Sequence, residues 1–225
     1  MSGVVLTLQS VNDNILMNTK YYKRVKALAF FTIAYNLIEG LVSVFFGAQD
    51  ETLTLFGFGV DSFIEVISGI GILQMVMRIE NNSGNSQSRF EITALKITGW
   101  SFYVLSVGLV AGALLDLYQG QKPETTLWGV IISVISIITM GFLYRSKIHY
   151  GKLLNSEAII ADGNCTLVCI YMSVVLLISS AVYEITEIAW IDAAGAVGLA
   201  WFSFNEGKEA FEKAKGKLCT CHDEK

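Results

Sequence analysis

Two pairs of polar residues lie four positions apart within long apolar stretches of the sequence. Asp61 and Glu65 form the first pair, and Cys165 and Cys169 form the second. Residues at this spacing share one face of a helix and lie about 6 Å apart. Two carboxylates and two sulfurs suit a tetrahedral divalent ion of borderline or soft character, which favours zinc and also admits cadmium. The sequence therefore predicts a metal site built from these four residues.

The stretches that carry these residues have the composition of membrane-spanning helices. Of the 225 residues, 53% are hydrophobic and 16% are charged, which is too few charges to cover a water-soluble domain of this size. A bilayer core about 30 Å thick needs roughly 20 apolar helical residues. We therefore predict an all-α integral membrane protein, a bundle of six transmembrane helices at 27–47, 53–77, 93–118, 126–144, 158–183 and 187–207.

Lysine and arginine lie almost entirely on one side of the predicted membrane. Fifteen of the 16 basic residues precede the first helix, flank the second and fourth connections, or follow the last helix. Because basic loops are retained in the cytosol, we expect both termini to be cytosolic. The first residues lack the basic start and apolar run of a signal peptide. We expect three parts: a cytosolic segment 1–19, a membrane transport domain 20–211 and a short cytosolic tail 212–225.

The predicted depths of the four residues in the bilayer place the carboxylate pair and the cysteine pair at the same height. The second helix is expected to run inward from Leu53 and the fifth to run outward from Glu157. At 1.5 Å per residue, Asp61 lies ~12 Å from the outer edge and Cys169 ~18 Å from the inner edge, which is the same height in a ~30 Å core. The same arithmetic places Glu65 level with Cys165. Without metal, protons can occupy these groups, which is a physical basis for proton-for-metal exchange.

Other polar residues in the predicted helices have a structural interpretation beside a functional one. Asn36 and Glu39 fit a hydrogen-bonded contact between helices, with metal ligation as the alternative. Asp162 fits an anchor at the start of the fifth helix, with gating or metal transit as the alternative. We expect Asp192 to cap the start of the sixth helix or to pair outside the membrane.

The end of the chain carries a second, weaker metal signal. Cys219, Cys221 and His222 offer two thiols and an imidazole that could capture a soft cation. A disordered tail is the alternative, because this pattern lacks the second ligand pair of a structural zinc site.

The two polar pairs resemble motifs of the cation diffusion facilitators, a family that exports zinc and related divalent metals. The stretch Val60–Glu65 is similar to the family's D-S-x-x-D element, and Ala161–Cys169 is similar to A-D-x-x-H-x-x-x-D. The resemblance extends roughly from Lys20 to Phe211. It implies that the same four residues, Asp61, Glu65, Cys165 and Cys169, occupy the positions of the family's transport site.

The sequence also departs from the family pattern. Glu65 stands where the family has aspartate, and Cys165 and Cys169 stand where it has histidine and aspartate, so a softer cargo than usual is expected. We expect the family's cytosolic C-terminal domain to be missing, with only the short tail in its place. If a homodimer forms, as the resemblance suggests, its contacts are then expected to come from the membrane helices.

The functional prediction is a proton-coupled exporter of a divalent metal, Zn²⁺ or Cd²⁺, that works by alternating access in the cytoplasmic membrane of a prokaryote. Its partners are the metal ion, protons and lipid; no resident cofactor and no nucleic acid are expected. The alternative is a metal-sensing or structural membrane subunit that does not transport. An enzyme is disfavoured by the lack of a Ser/His/Asp set or HExxH motif, and a nucleotide-driven pump by the lack of a phosphate-binding loop.

Overall fold

The computed structural model describes residues 2–50, 52–80, 89–120, 124, 126–154, 156–188 and 190–215. Over these residues the regular structure is entirely helical, which confirms the predicted all-α bundle of six helices. The helices are α1 (Ser2–Gln49), α2 (Leu53–Glu80), α3 (Arg89–Gln119), α4 (Leu127–Leu153), α5 (Glu157–Thr186) and α6 (Trp190–Ala214).

Every helix is longer than its apolar segment in the sequence. The greatest difference is in α1, whose 48 residues begin at Ser2 and correspond to a length of about 72 Å. Residues 2–19, expected as a separate cytosolic segment, are therefore continuous with the first membrane helix. Apolar length marks where lipid surrounds a helix, but backbone hydrogen bonds continue into the polar flanks.

Five of the helices contain a segment long and apolar enough to cross a membrane: Lys20–Gln49, Leu53–Gly71, Leu95–Gln119, Leu127–Leu153 and Asp162–Thr186. With 25 residues, α6 is long enough but less apolar, since it carries Asp192 and a charged C-terminal half. It packs along α3 as the second member of a close helix pair. The chain is thus a multi-pass membrane protein.

The distribution of side chains is inverted relative to that of a water-soluble protein. Phe30, Val104, Val107, Ile138 and Phe142 expose between 65% and 70% of their surface. The bundle instead buries acids, amides and hydroxyls, among them Asn36, Glu39, Asp61, Ser62 and Ser173. Apolar groups on the outside are stable in lipid, whereas polar groups in a membrane protein face the interior. Among the described residues, the buried polar side chains that could bind an ion therefore lie inside the bundle.

The helices pack in three extensive pairs, α1 with α2, α3 with α6 and α4 with α5. A Cβ atom added to Gly59 would lie 2.7 Å from the backbone nitrogen of Val44, so glycine is what allows the close approach of α1 and α2. By contrast, the direct contact between α2 and α5 is slight. The helix pair α1 and α2 and the helix pair α4 and α5 carry the predicted ligands. Each of these pairs is well packed, whereas the contact between α2 and α5 is small.

The buried carboxylate of Asp192 holds the start of α2. The backbone N–H groups of Leu53 and Thr54 donate to its two oxygens at 2.9 and 3.3 Å, and the Thr54 hydroxyl donates to its carbonyl oxygen at 2.7 Å. The expectation that Asp192 caps its own helix or pairs outside is wrong. It caps a neighbouring helix, because the first-turn N–H groups of α2 have no partner within α2.

We expect Asp192→Ala to lower the stability of the bundle by about 1–2 kcal/mol, the usual effect of removing a helix cap. The melting temperature of the purified protein in detergent should fall. The decrease should be smaller for Asp192→Asn, which keeps one acceptor oxygen. Equal melting temperatures for all three proteins would contradict the capping role.

Candidate metal site

A small cavity inside the bundle is lined by three of the four predicted ligands. Glu65 reaches it from α2, and Cys165 and Cys169 reach it from α5. Its volume is about 50 Å³, enough for a few water molecules or a largely dehydrated ion. Glu206 and Lys213 of α6 also face it.

The carboxylate of Glu65 joins three helices at this cavity. Asn36 Nδ2 on α1 donates to Glu65 Oε2 at 2.7 Å, and the Cys169 thiol on α5 donates to Glu65 Oε1. The structure thus brings an acid of α2 and a thiol of α5 into direct contact. Equal depth predicts that Glu65 meets Cys165, one helical turn away. The difference arises because the depth estimate treats both helices as upright and ignores the length of the glutamate side chain.

Asp61 lies one turn before Glu65 on α2 and is more deeply buried, with 3% of its surface exposed. Its Oδ1 atom has no hydrogen-bond partner among the described residues. Glu65, Glu206 and Glu39 are near enough to oppose a negative charge on it. A buried carboxylate oxygen with acidic neighbours and no donor is costly, and a bound cation or water would remove that cost.

Cys165 contacts a residue that the sequence did not suggest. Lys213 Nζ on α6 lies 2.7 Å from Cys165 Sγ and 2.9 Å from Glu209 Oε1. Glu206 interacts electrostatically with both Cys165 and Lys213. Glu209 and Lys213 were missed because the sixth predicted segment ends at 207 and its charged flank was assigned to the cytosol, whereas Glu206 lies inside that segment and was overlooked. Their spacing of three and four positions was the available signal, since it places them on one helix face.

The four predicted ligands do not form a closed site in this conformation. Within the described part of the chain, no group of three or more His, Cys, Asp and Glu side chains has the geometry to hold a metal ion. Glu65 and Cys169 are instead hydrogen-bonded to each other, and Lys213 is hydrogen-bonded to Cys165. The four-residue metal site therefore stays a prediction. The structure shows the contact between Glu65 and Cys169 and a cavity lined by Glu65, Cys165 and Cys169.

The accessory residues of α1 separate into two roles. Asn36 touches Glu65, which makes it a neighbour of the candidate site. Glu39 accepts hydrogen bonds from Tyr35 Oη at 2.8 Å and Ser62 Oγ at 3.3 Å. The contact of Glu39 with Ser62 fits the structural interpretation, a hydrogen-bonded link between α1 and α2.

Asp162 forms a largely buried ion pair that lines the cavity. Its Oδ2 atom lies 3.0 Å from Lys147 Nζ on α4, which also donates to Thr166 Oγ1 at 3.0 Å. The sequence placed Lys147 in a cytosolic loop, whereas α4 continues through it and buries its side chain. Each of these two buried charges is stabilised by the other, and removing either one would leave an unpaired charge in the interior. The tail residues Cys219, Cys221 and His222 lie outside the described residues.

A membrane bundle that buries acids, thiols and ammonium groups around one interior cavity is a protein suited to handling a cation within the bilayer. Residues 27–218 match the family model described as the cation efflux transmembrane domain, and the chain belongs to this family. The resemblance to the cation diffusion facilitators is thereby confirmed.

Three curated proteins are similar to the chain. Transmembrane protein 163 of Xenopus laevis is 28% identical over 179 residues, which cover 80% of this chain and 62% of that protein. The manganese efflux system protein MneP of Bacillus subtilis (strain 168) is 29% identical over 142 residues, 60% of this chain and 47% of MneP. The uncharacterized transporter MJ0449 of Methanocaldococcus jannaschii is 24% identical over 136 residues, 59% of this chain and 48% of MJ0449. The chain thus matches about half to three fifths of the length of these relatives.

Proposed function

We propose that the protein exports a divalent metal cation across its membrane in exchange for protons. The observation that carries this proposal is the contact between Glu65 of α2 and Cys169 of α5 beside a cavity that Cys165 also lines. Membership of the cation efflux family supports it. Asp61, with a buried oxygen that lacks a donor among the described residues, would complete the ligand set.

The proposed cargo is a soft or borderline ion, Zn²⁺ or Cd²⁺. One relative is by name a manganese efflux protein, and manganese prefers oxygen ligands. Two thiols in the cavity favour zinc and cadmium over manganese in this chain, because sulfur binds the softer ions more strongly.

The proposed proton coupling is supported by the hydrogen bond that two of the predicted ligands form without metal. The Cys169 thiol proton lies in a hydrogen bond to Glu65, so a metal ion that binds both groups must displace that proton. Cytosolic metal would pass the Lys147–Asp162 pair, enter the cavity and release protons from its ligands. Protonation from the outer side would restore the contact between α2 and α5 and favour release of the ion.

The same proposal places the protein in the cytoplasmic membrane of a prokaryote, with both termini in the cytosol. An even number of membrane crossings keeps the two ends on one side, and the basic loops favour the cytosolic side. A homodimer, if formed, would use the outer faces of the membrane helices.

Reconstitution of the protein alone into liposomes tests the proposed function. With a pH gradient imposed and a metal-sensitive dye enclosed, we expect Zn²⁺ or Cd²⁺ flux that stops when a protonophore removes the gradient. Metal binding without flux would instead support the alternative, a metal-sensing or structural membrane subunit. Flux that is indifferent to the pH gradient would contradict proton exchange while leaving metal transport intact.

A further inference from the structure

The sulfur of Cys165 is already in contact with a positive charge. Lys213 Nζ lies 2.7 Å from Cys165 Sγ, and an ion bound to that sulfur at the zinc–sulfur distance of about 2.3 Å would lie near the ammonium. An ammonium group has three donors and no lone pair, so it cannot itself ligate a metal ion. It occupies the space beside the sulfur that a bound ion would need.

Lys213 has a second partner besides Cys165. Glu209, one helical turn earlier on α6, lies 2.9 Å from the same ammonium group. Both side chains are 19% exposed, so the ammonium has room to move away from Cys165 while it keeps Glu209 as a partner. Lys147, the other lysine of the cavity, is instead fixed between Asp162 and Thr166.

We propose that Lys213 is a tethered cation, an ammonium group on the protein that competes with the transported metal for Cys165. Without metal, the ammonium lies beside the sulfur and close to the acidic side chains of Glu209 and Glu206. When a divalent ion binds, repulsion between the two cations moves the ammonium away from Cys165, and Glu209 remains its partner. This inference rests on the proposed function, since it assigns Cys165 to the metal site.

The tethered cation has a direct effect on metal affinity. The ion must displace a charge-assisted contact before it reaches the sulfur, so its apparent affinity is lower than that of the same site without the lysine. The return of the ammonium to Cys165 in turn opposes rebinding of an ion that has been released.

Cadmium binding to the purified protein in nanodiscs tests the proposal through the ultraviolet charge-transfer band of cadmium bound to thiolate. We expect Lys213→Met to lower the apparent Kd for Cd²⁺ roughly tenfold, the effect of removing one charge-assisted contact. The apparent Kd of Lys213→Arg, which keeps the positive charge, should remain near that of the wild type. Lys208→Met is the matched control, because it removes an exposed lysine from the same helix. Unchanged or weaker cadmium binding by Lys213→Met would overturn the proposal.

A measurement on the wild-type protein does not depend on whether the variant folds. Amine acylation followed by mass spectrometry reports the accessibility of each lysine, and we expect labelling of Lys213 to rise at saturating Cd²⁺ while that of Lys208 stays constant. Constant or reduced labelling of Lys213 would refute the displacement. If neither the wild type nor Lys213→Met shows the cadmium band, the metal site itself is refuted. A normal band without flux contradicts transport and leaves the competition intact.

Discussion

Asp61→Ala should abolish metal flux in proteoliposomes. The carboxylate is buried, its Oδ1 atom has no donor among the described residues, and its neighbours Glu65 and Glu206 are acids. A bound cation is the simplest partner for such an oxygen. Loss of a partner that only supports a metal ligand already lowers metal affinity 10–100-fold, so loss of a direct ligand should reduce flux at least about 100-fold.

Two further variants separate the charge of Asp61 from its packing. Asp61→Asn keeps the shape of the side chain, and we expect it to be as inactive as Asp61→Ala because it lacks the negative charge. Glu124→Gln changes an exposed acid in the connection between α3 and α4, and it should transport at the wild-type rate. Full flux by Asp61→Ala at wild-type protein levels would refute its role as a ligand.

The second large effect is expected from exchanging both thiols for carboxylates. Cys165→Asp/Cys169→Asp converts the predicted ligand set to oxygen alone, which favours harder ions such as Mn²⁺ over Cd²⁺. We expect the ratio of Cd²⁺ flux to Mn²⁺ flux to fall at least roughly tenfold. Parallel flux assays with each ion measure this ratio directly.

The surroundings of the two cysteines determine how this experiment is controlled. Cys169 is buried beside Met140 and Leu143, so a carboxylate there destabilises the fold unless metal is bound. Cys165 is half-buried and faces Lys213, which makes Cys165→Asp alone the milder variant. A folded variant, single or double, whose ion profile matches the wild type would contradict ligation by the replaced sulfur.

The sequence was sufficient to predict the fold but not the ends of the helices. Long apolar segments identify helices because lipid cannot satisfy an exposed backbone. They do not show how far a helix continues into water, which is why residues 2–19 and the stretch of α4 around Lys147 were assigned to non-membrane segments. Lys147 is helical and buried because α4 extends far enough to pack beside α5.

The candidate site was predictable wherever the signal was local. Spacing along one helix identified Asp61 with Glu65 and Cys165 with Cys169. The contacts between helices depend on tilt, rotation and side-chain length, so the sequence paired Glu65 with Cys165 whereas the structure pairs it with Cys169. The spacing along α6 places Lys213 on one face with Glu206 and Glu209, but its contact with Cys165 could not be predicted, because only the packing of α6 brings the two together.

The slight contact between α2 and α5 has a consequence for the coupling of binding to motion. Each half of the predicted ligand set lies on a firmly packed pair, α1 with α2 or α4 with α5. A hinge movement between the pairs would alter the gap between carboxylates and sulfurs while leaving each half undistorted. An ion held by both halves would then act as a cross-link, and its departure would free the pairs to separate.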